Sequence, residues 1–178
     1  MQGVLNIKKA PPDEGFEFVL AGRSNAGKSS ALNCLTKNKK LARTSKMPGR
    51  TTEVNFFKVN DEIKLVDLPG YGFSKMSIDK KKNLDILLDN YFSSRQSLCA
   101  AIIFMDIRHP LKDSDIQMME FCNRHGVPFI SVLTKSDKLN SSAIAKSTKS
   151  VEKKLNSQSI IVTSCLLYTS PSPRDVRS

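Results

Sequence analysis

An apolar run, Phe16-Glu-Phe-Val-Leu-Ala21, leads directly into Gly22-Arg-Ser-Asn-Ala-Gly-Lys28-Ser29. Few chain paths accommodate that order. A strand must end in a glycine-bounded loop, the loop must turn successive N–H groups inward, and a helix must open at its last residues. The result is a phosphate-binding loop. Gly22, Arg23, Ser24, Asn25, Ala26 and Gly27 supply the curled backbone, and the helix that follows presents its positive dipole end. Lys28 reaches the β- and γ-phosphates, the Ser29 hydroxyl ligates Mg²⁺, and Ser30 continues the binding segment. The spacing alone also fits an ordinary glycine turn, so the rest of the chain decides.

Two later segments fall in the order a guanine-nucleotide switch requires. Asp67-Leu-Pro-Gly70 closes the apolar run Ile63-Lys-Leu-Val66. It sets a carboxylate at a strand end, where Asp67 can hold the metal through water, and Gly70 can offer its N–H to a γ-phosphate. Thr134-Lys135-Ser-Asp137 ends a second buried-strand pattern, Phe129-Ile-Ser-Val-Leu133. Its carboxylate can accept two hydrogen bonds from the N1 and N2 edge of guanine, a donor pair adenine lacks. Each tetrapeptide alone reads equally well as a turn or a helix cap. In this order after the phosphate loop they form a set.

From residue 14 to 164 the chain resembles the EngB/YsxC family of bacterial ribosome-biogenesis GTPases. The words that carry the resemblance are Ala21-Gly-Arg-Ser-Asn-Ala-Gly-Lys-Ser-Ser-Ala-Leu-Asn33, Arg43-Thr-Ser-Lys-Met-Pro-Gly-Arg-Thr51, Val66-Asp-Leu-Pro-Gly-Tyr-Gly72, Met105-Asp-Ile-Arg-His-Pro-Leu-Lys-Asp113 and Leu133-Thr-Lys-Ser-Asp-Lys138. The resemblance implies a Mg²⁺-dependent GTPase, binding GTP and GDP, that acts in assembly of the large ribosomal subunit and thereby in cell division and septation. Its implied partner is a precursor of that subunit, through rRNA and ribosomal proteins, with no DNA and with the protein a monomer. It also implies Thr51, beside Gly49, as the switch threonine that covers the metal; spacing alone equally allows Thr52. Lys28, Asn25, Thr51 and Gly70 are the implied catalytic set, and Ser29, Thr51 and Asp67 the metal set. Asn25 is similar to an asparagine that helps hold K⁺ beside the phosphates in related GTPases, and it also suits a loop position of unusual backbone conformation. Tyr71 stands where many regulatory GTPases carry a water-orienting glutamine, which predicts slow intrinsic hydrolysis; packing of the switch is the other reading. Thr163-Ser164 occupies the place of a fifth motif, whose backbone N–H groups recognise guanine O6.

The 178 residues suit one domain, with residues 1–13 an N-terminal extension and 14–164 the GTPase domain. Strand signals fall at 16–21, 54–59, 62–67, 99–106, 128–134 and 159–163, and helix signals at 28–37, 78–93, 114–124 and 141–156. These predict a three-layer α/β domain on a mostly parallel six-stranded sheet. Asn60-Asp61 is a short turn, so one edge strand is antiparallel. Residues 38–52 and 67–77 read as switch segments. The loop Asp106-Ile-Arg-His109 reads as structural or ribosome-facing in preference to catalytic.

No apolar run is long enough to span a membrane and the N-terminus lacks signal-peptide character, which predicts a cytoplasmic protein. Four scattered cysteines fit reduced thiols. The net charge of +11, gathered in clusters such as Lys80–Lys82 and Lys153-Lys154, marks a polyanion partner. A rival reading is a nucleotide-gated rRNA- or ribosome-binding module with negligible turnover. Finally, Cys165-Leu-Leu-Tyr-Thr-Ser-Pro-Ser-Pro-Arg-Asp175 departs from the family pattern and resembles a translated sequencing adapter. Residues 165–178 are therefore expected to be non-native, in place of the domain's final helix.

Overall fold

The computed structural model describes residues 2–4, 7–35, 53–71, 77–155 and 160–164. Seven strands form one sheet: β1 (Gln2–Val4), β2 (Phe16–Gly22), β3 (Val54–Lys58), β4 (Ile63–Asp67), β5 (Leu98–Asp106), β6 (Phe129–Thr134) and β7 (Ile160–Val162), in the spatial order β1-β3-β4-β2-β5-β6-β7. Strand β5, Leu-Cys-Ala-Ala-Ile-Ile-Phe-Met-Asp, is almost continuously apolar, as a central parallel strand covered on both faces must be. Four helices connect the strands: α1 (Lys28–Leu35), α2 (Ile78–Ser94), α3 (Asp113–Arg124) and α4 (Ser141–Leu155).

The sheet divides the interior in two. On one face Leu87, Leu88, Tyr91 and Phe92 of α2, Met118, Met119 and Cys122 of α3, and Val151 of α4 pack on Val19, Val66, Ile103, Met105 and Leu133. On the other, Ala31 and Leu32 of α1 meet Leu20, Phe57, Leu65, Phe104 and Val132. Helix α4 shows the period responsible: Ile144, Val151 and Leu155 turn inward while Lys146, Lys149 and Lys153 stay exposed. Its start is fixed by Asn140, whose Oδ1 accepts the Ala143 N–H at 2.9 Å.

The α/β architecture and the β3–β4 hairpin match expectation. Asn60 Oδ1 accepts the N–H groups of Glu62 (3.0 Å) and Ile63 (2.7 Å), closing the turn. The strand count differs. Gln2–Val4 pairs antiparallel with β3 in the register Gln2↔Phe56, Gly3↔Asn55, Val4↔Val54. The antiparallel strand is thus β3, one place in from the edge, and the extension 1–13 contributes a strand and a 3-10 turn (Ile7–Lys9). Three residues are too few to carry a period-two signal, and so the strand is silent in the sequence. Residues 165–178, expected to be non-native, lie outside the described residues.

At the amino-terminal end of the parallel strands a charged cluster is built into the core. Glu17 on β2 is fully buried. Its carboxylate pairs with the Arg95 guanidinium, through NH2 and through Nε at 3.2 Å, and accepts the Tyr91 hydroxyl at 2.9 Å. Arg95 also donates to Pro11 O at 2.8 Å, and Lys64 donates to Pro12 O (2.8 Å) and Glu14 O (2.7 Å). Residues 11–14 are thereby tied across the base of β2 and β4. Asp13 reaches over to the turn before β5, accepting the N–H groups of Gln96 and Ser97. Removing Arg95 takes from a buried carboxylate its hydrogen-bonded cation and leaves only the Lys64 ammonium, 3.7 Å away, so Arg95→Ala is expected to lower unfolding stability by about 3–5 kcal/mol. Tyr91→Phe, which removes one hydrogen bond, should cost about 1–3 kcal/mol. Urea unfolding followed by circular dichroism measures both, and equal, small effects would contradict the assignment.

Candidate nucleotide-binding site

The phosphate loop runs from the end of β2 into α1, and glycine is required at both of its ends by close approaches. A Cβ on Gly22 would stand 2.7 Å from Phe104 O on the adjoining β5. Gly27 has φ +95°, and a Cβ there would meet three Thr134 side-chain atoms at 3.3 Å. Asn25 has φ 61°, so the unusual backbone anticipated for it is present. Arg23 and Tyr71 form an isolated parallel bridge, bringing the loop's entry against the residue after Gly70.

Lys28 and Asp67 meet here. Lys28 Nζ lies 2.7 Å from Asp67 Oδ1 and 2.8 Å from Leu68 O. The lysine and the carboxylate therefore compensate each other's charge, with both side chains largely shielded from water. Ser29 opens the first turn of α1 on the same loop. One hydroxyl and one carboxylate beside a phosphate cradle are oxygen donors of the kind Mg²⁺ takes together with water and substrate phosphates. Among the described residues no cluster of three or more His, Cys, Asp or Glu side chains is placed to hold a metal ion. Gly70 follows in the same turn. Gly49, Thr51 and Thr52 lie outside the described residues.

The base-reading segment is held to the phosphate loop by Thr134. Its hydroxyl lies 2.7 Å from Ala26 O and 3.1 Å from Met105 O, and its proton is shared between the two carbonyls. Lys135 adopts φ 61°, and its Nζ reaches Asp106 Oδ2 at 2.9 Å. Asp106 also receives Arg108, through Nε at 2.9 Å and NH2 at 2.6 Å. The Arg108 hydrogen bond, with help from Lys135 and against burial, holds the Asp106 carboxyl well below the usual carboxylate range. Within the Asp106–His109 loop, Asp106 thus joins Arg108 to Lys135. Asp137 accepts the Ser164 hydroxyl at 2.5 Å, the leading cause of its lowered pKa. Thr163 N–H bonds Leu133 O at 2.9 Å and Thr163 O accepts the Ser136 N–H at 3.3 Å, so Thr163-Ser164 stands directly beside the base reader.

Tyr71 packs against the core, and its hydroxyl donates to Asp115 Oδ1 at 3.2 Å. Burial first, then the Asp115 charge, raises its pKa above the usual phenol range. Sequence reasoning missed Asp106 and Asp115. Asp106 ends a strand as Asp67 does, and that placement was a usable signal. Nothing in the spacing of α3 marked Asp115.

Residues 17–135 match the model of a family described as 50S ribosome-binding GTPase. The chain is 50% identical over 152 residues to the probable GTP-binding protein EngB of Stenotrophomonas maltophilia, covering 85% of this chain and 76% of that one. It is 50% identical over 151 residues to that of Mannheimia succiniciproducens, covering 85% and 74%. A crystal structure of a probable GTP-binding protein engB superposes with a TM-score of 0.67 at 21% identity, covering 85% of this chain and 90% of that one. On these matches this chain belongs to the EngB family of GTP-binding proteins and is a GTPase.

Proposed function

We propose that the protein is a Mg²⁺-dependent GTP switch whose nucleotide state governs docking on a precursor of the large ribosomal subunit. The observation that carries the nucleotide reading is the Thr134 contact with Ala26, which sets Asp137 and the phosphate loop on one rigid frame. In this reading Gly22, Arg23, Ser24, Asn25, Ala26, Gly27, Lys28, Ser29 and Ser30 hold the phosphates. Ser29, Asp67 and Thr51 hold the metal, with Gly49 beside Thr51. Gly70 senses the γ-phosphate, and Thr134, Lys135, Asp137, Thr163 and Ser164 form the base site. Lys28 exchanges Asp67 and Leu68 O for phosphate oxygens when nucleotide enters.

The large-subunit partner is supported by the description of the matched family and by the charge of +11. Exposed lysines on α2 and α4 supply part of that charge. No helix among the described residues is long and apolar enough to cross a membrane. The proposed site of action is the cytoplasm, where ribosomal precursors are.

Base choice is tested with Asp137→Asn. Loss of two charge-assisted hydrogen bonds should weaken GTP at least ~100-fold and favour xanthosine triphosphate; calorimetric titration measures it, and undiminished GTP affinity would remove Asp137 from the site. A second measurement concerns Asn25, proposed to hold K⁺. Steady-state phosphate release should be faster in K⁺ than in Na⁺, with the difference abolished in Asn25→Ala; equal rates in the two salts would leave Asn25 a backbone residue only. Sedimentation with large-subunit particles, with turnover recorded in parallel, tests the partner. Nucleotide-dependent cosedimentation that declines steeply with salt is expected. Binding without any stimulated or intrinsic turnover would favour the gated binding module instead.

A further inference from the structure

We propose that Asp115 is a positioning residue for nucleotide sensing: by holding the Tyr71 hydroxyl it anchors the chain immediately after Gly70 to α3, and so presents Gly70 at the γ-phosphate position. The inference rests on the GTP-switch reading and adds to it a residue on a helix that contributes nothing else to the site.

Asp115 is fully buried, a costly place for a carboxylate unless both oxygens are used. Oδ2 accepts the Lys112 N–H at 3.1 Å, capping the first turn of α3. That is sufficient reason for a polar residue at the position, and it accounts for one oxygen. Oδ1 is occupied by Tyr71, 44 residues away in sequence. A core position that required only packing would be served better by an apolar side chain.

The turn Asp67-Leu-Pro-Gly70 is consequently fastened at both ends. Upstream, Leu68 N–H bonds Leu20 O at 3.1 Å, and Leu68 O receives Lys28 Nζ. Downstream, the Tyr71 backbone bridges Arg23 at the loop's entry while its side chain reaches into the core and ends on Asp115. Pro69 has no N–H to give, so Gly70 supplies the next amide of the turn. A hydrogen bond one residue further on therefore controls where that amide points. GDP lacks the phosphate that Gly70 would touch. The Tyr71–Asp115 bond should accordingly affect affinity for GTP and not for GDP.

The test is a double-mutant cycle on the full chain, with dissociation constants for GDP and a non-hydrolysable GTP analogue measured in Mg²⁺ for the wild type, Tyr71→Phe, Asp115→Asn and the double variant. Tyr71→Phe keeps the ring and its packing. It should weaken the GTP analogue about three- to tenfold while GDP stays within about twofold. In the Tyr71→Phe background, Asp115→Asn should change the GTP-to-GDP affinity ratio no further, since the shared bond is already gone. Thermal unfolding without nucleotide records any loss of the α3 cap, which would act on stability and leave the ratio unmoved. A Tyr71→Phe protein whose two affinities shift by the same factor, or not at all, overturns the inference while leaving the GTPase reading intact. Wild-type protein that binds neither nucleotide would overturn both.

Discussion

The approach of Gly27 to Thr134 is the contact on which the site depends. With a Cβ at residue 27 the loop would be pressed against the threonine's side chain, and Ala26 O would be moved from the hydroxyl that now binds it. Because Thr134 also leans on Met105 O, that one side chain registers β5, β6 and the phosphate loop together. Two segments distant in sequence, residues 22–29 and 134–137, are adjacent in space for this reason. The strand ends are the fixed points, and the loops between them take up the rest.

Much of this was legible in the sequence, and the parts that were share a property. The phosphate loop, Asp67, Thr134 and Asp137 each sit where an apolar strand stops, so that pattern and chemistry coincide. The strands and helices were placed within about two residues for the same reason, since each long element carries its own period. What was not legible depends on partners far away along the chain. Strand β1 has only three residues and exists because β3 offers it an edge. Glu17 reads as a polar interruption of an apolar strand until Arg95, Tyr91 and Lys64 surround it. Asp115 reads as one more acidic residue at a helix start until Tyr71 arrives. The packing of Tyr71 was one of its two readings, but its partner on α3 had no signal in the sequence.

Glu17 and Asp115 pose the same physical problem at opposite ends of the sheet. Each is a carboxylate without solvent, and each is tolerated because long-range donors satisfy it. At the base, the Arg95 guanidinium and the Lys64 ammonium compensate the charge of Glu17, the Tyr91 phenol hydrogen-bonds it, and the two cations also bind the chain's early segment to the strand ends. Beside the nucleotide site the donors to Asp115 are uncharged, a phenol and a backbone amide, and burial raises its carboxyl pKa. The weaker bonding falls in the half of the molecule that has to respond to a ligand.

Strand β1 gives β3 a partner on its outer side, while β4 holds the inner one, with Asn55 opposite both Gly3 and Asp67. A strand bonded along one edge can peel like tape from its free end. One bonded along both must shear two ladders at once, as β3 would at Asn55 and Phe56, each of which faces a residue of β1 and a residue of β4. The beginning of β3 is therefore tied down twice where a bare edge strand would be tied once. The three residues of β1 brace β3 like a batten from the side opposite Asp67.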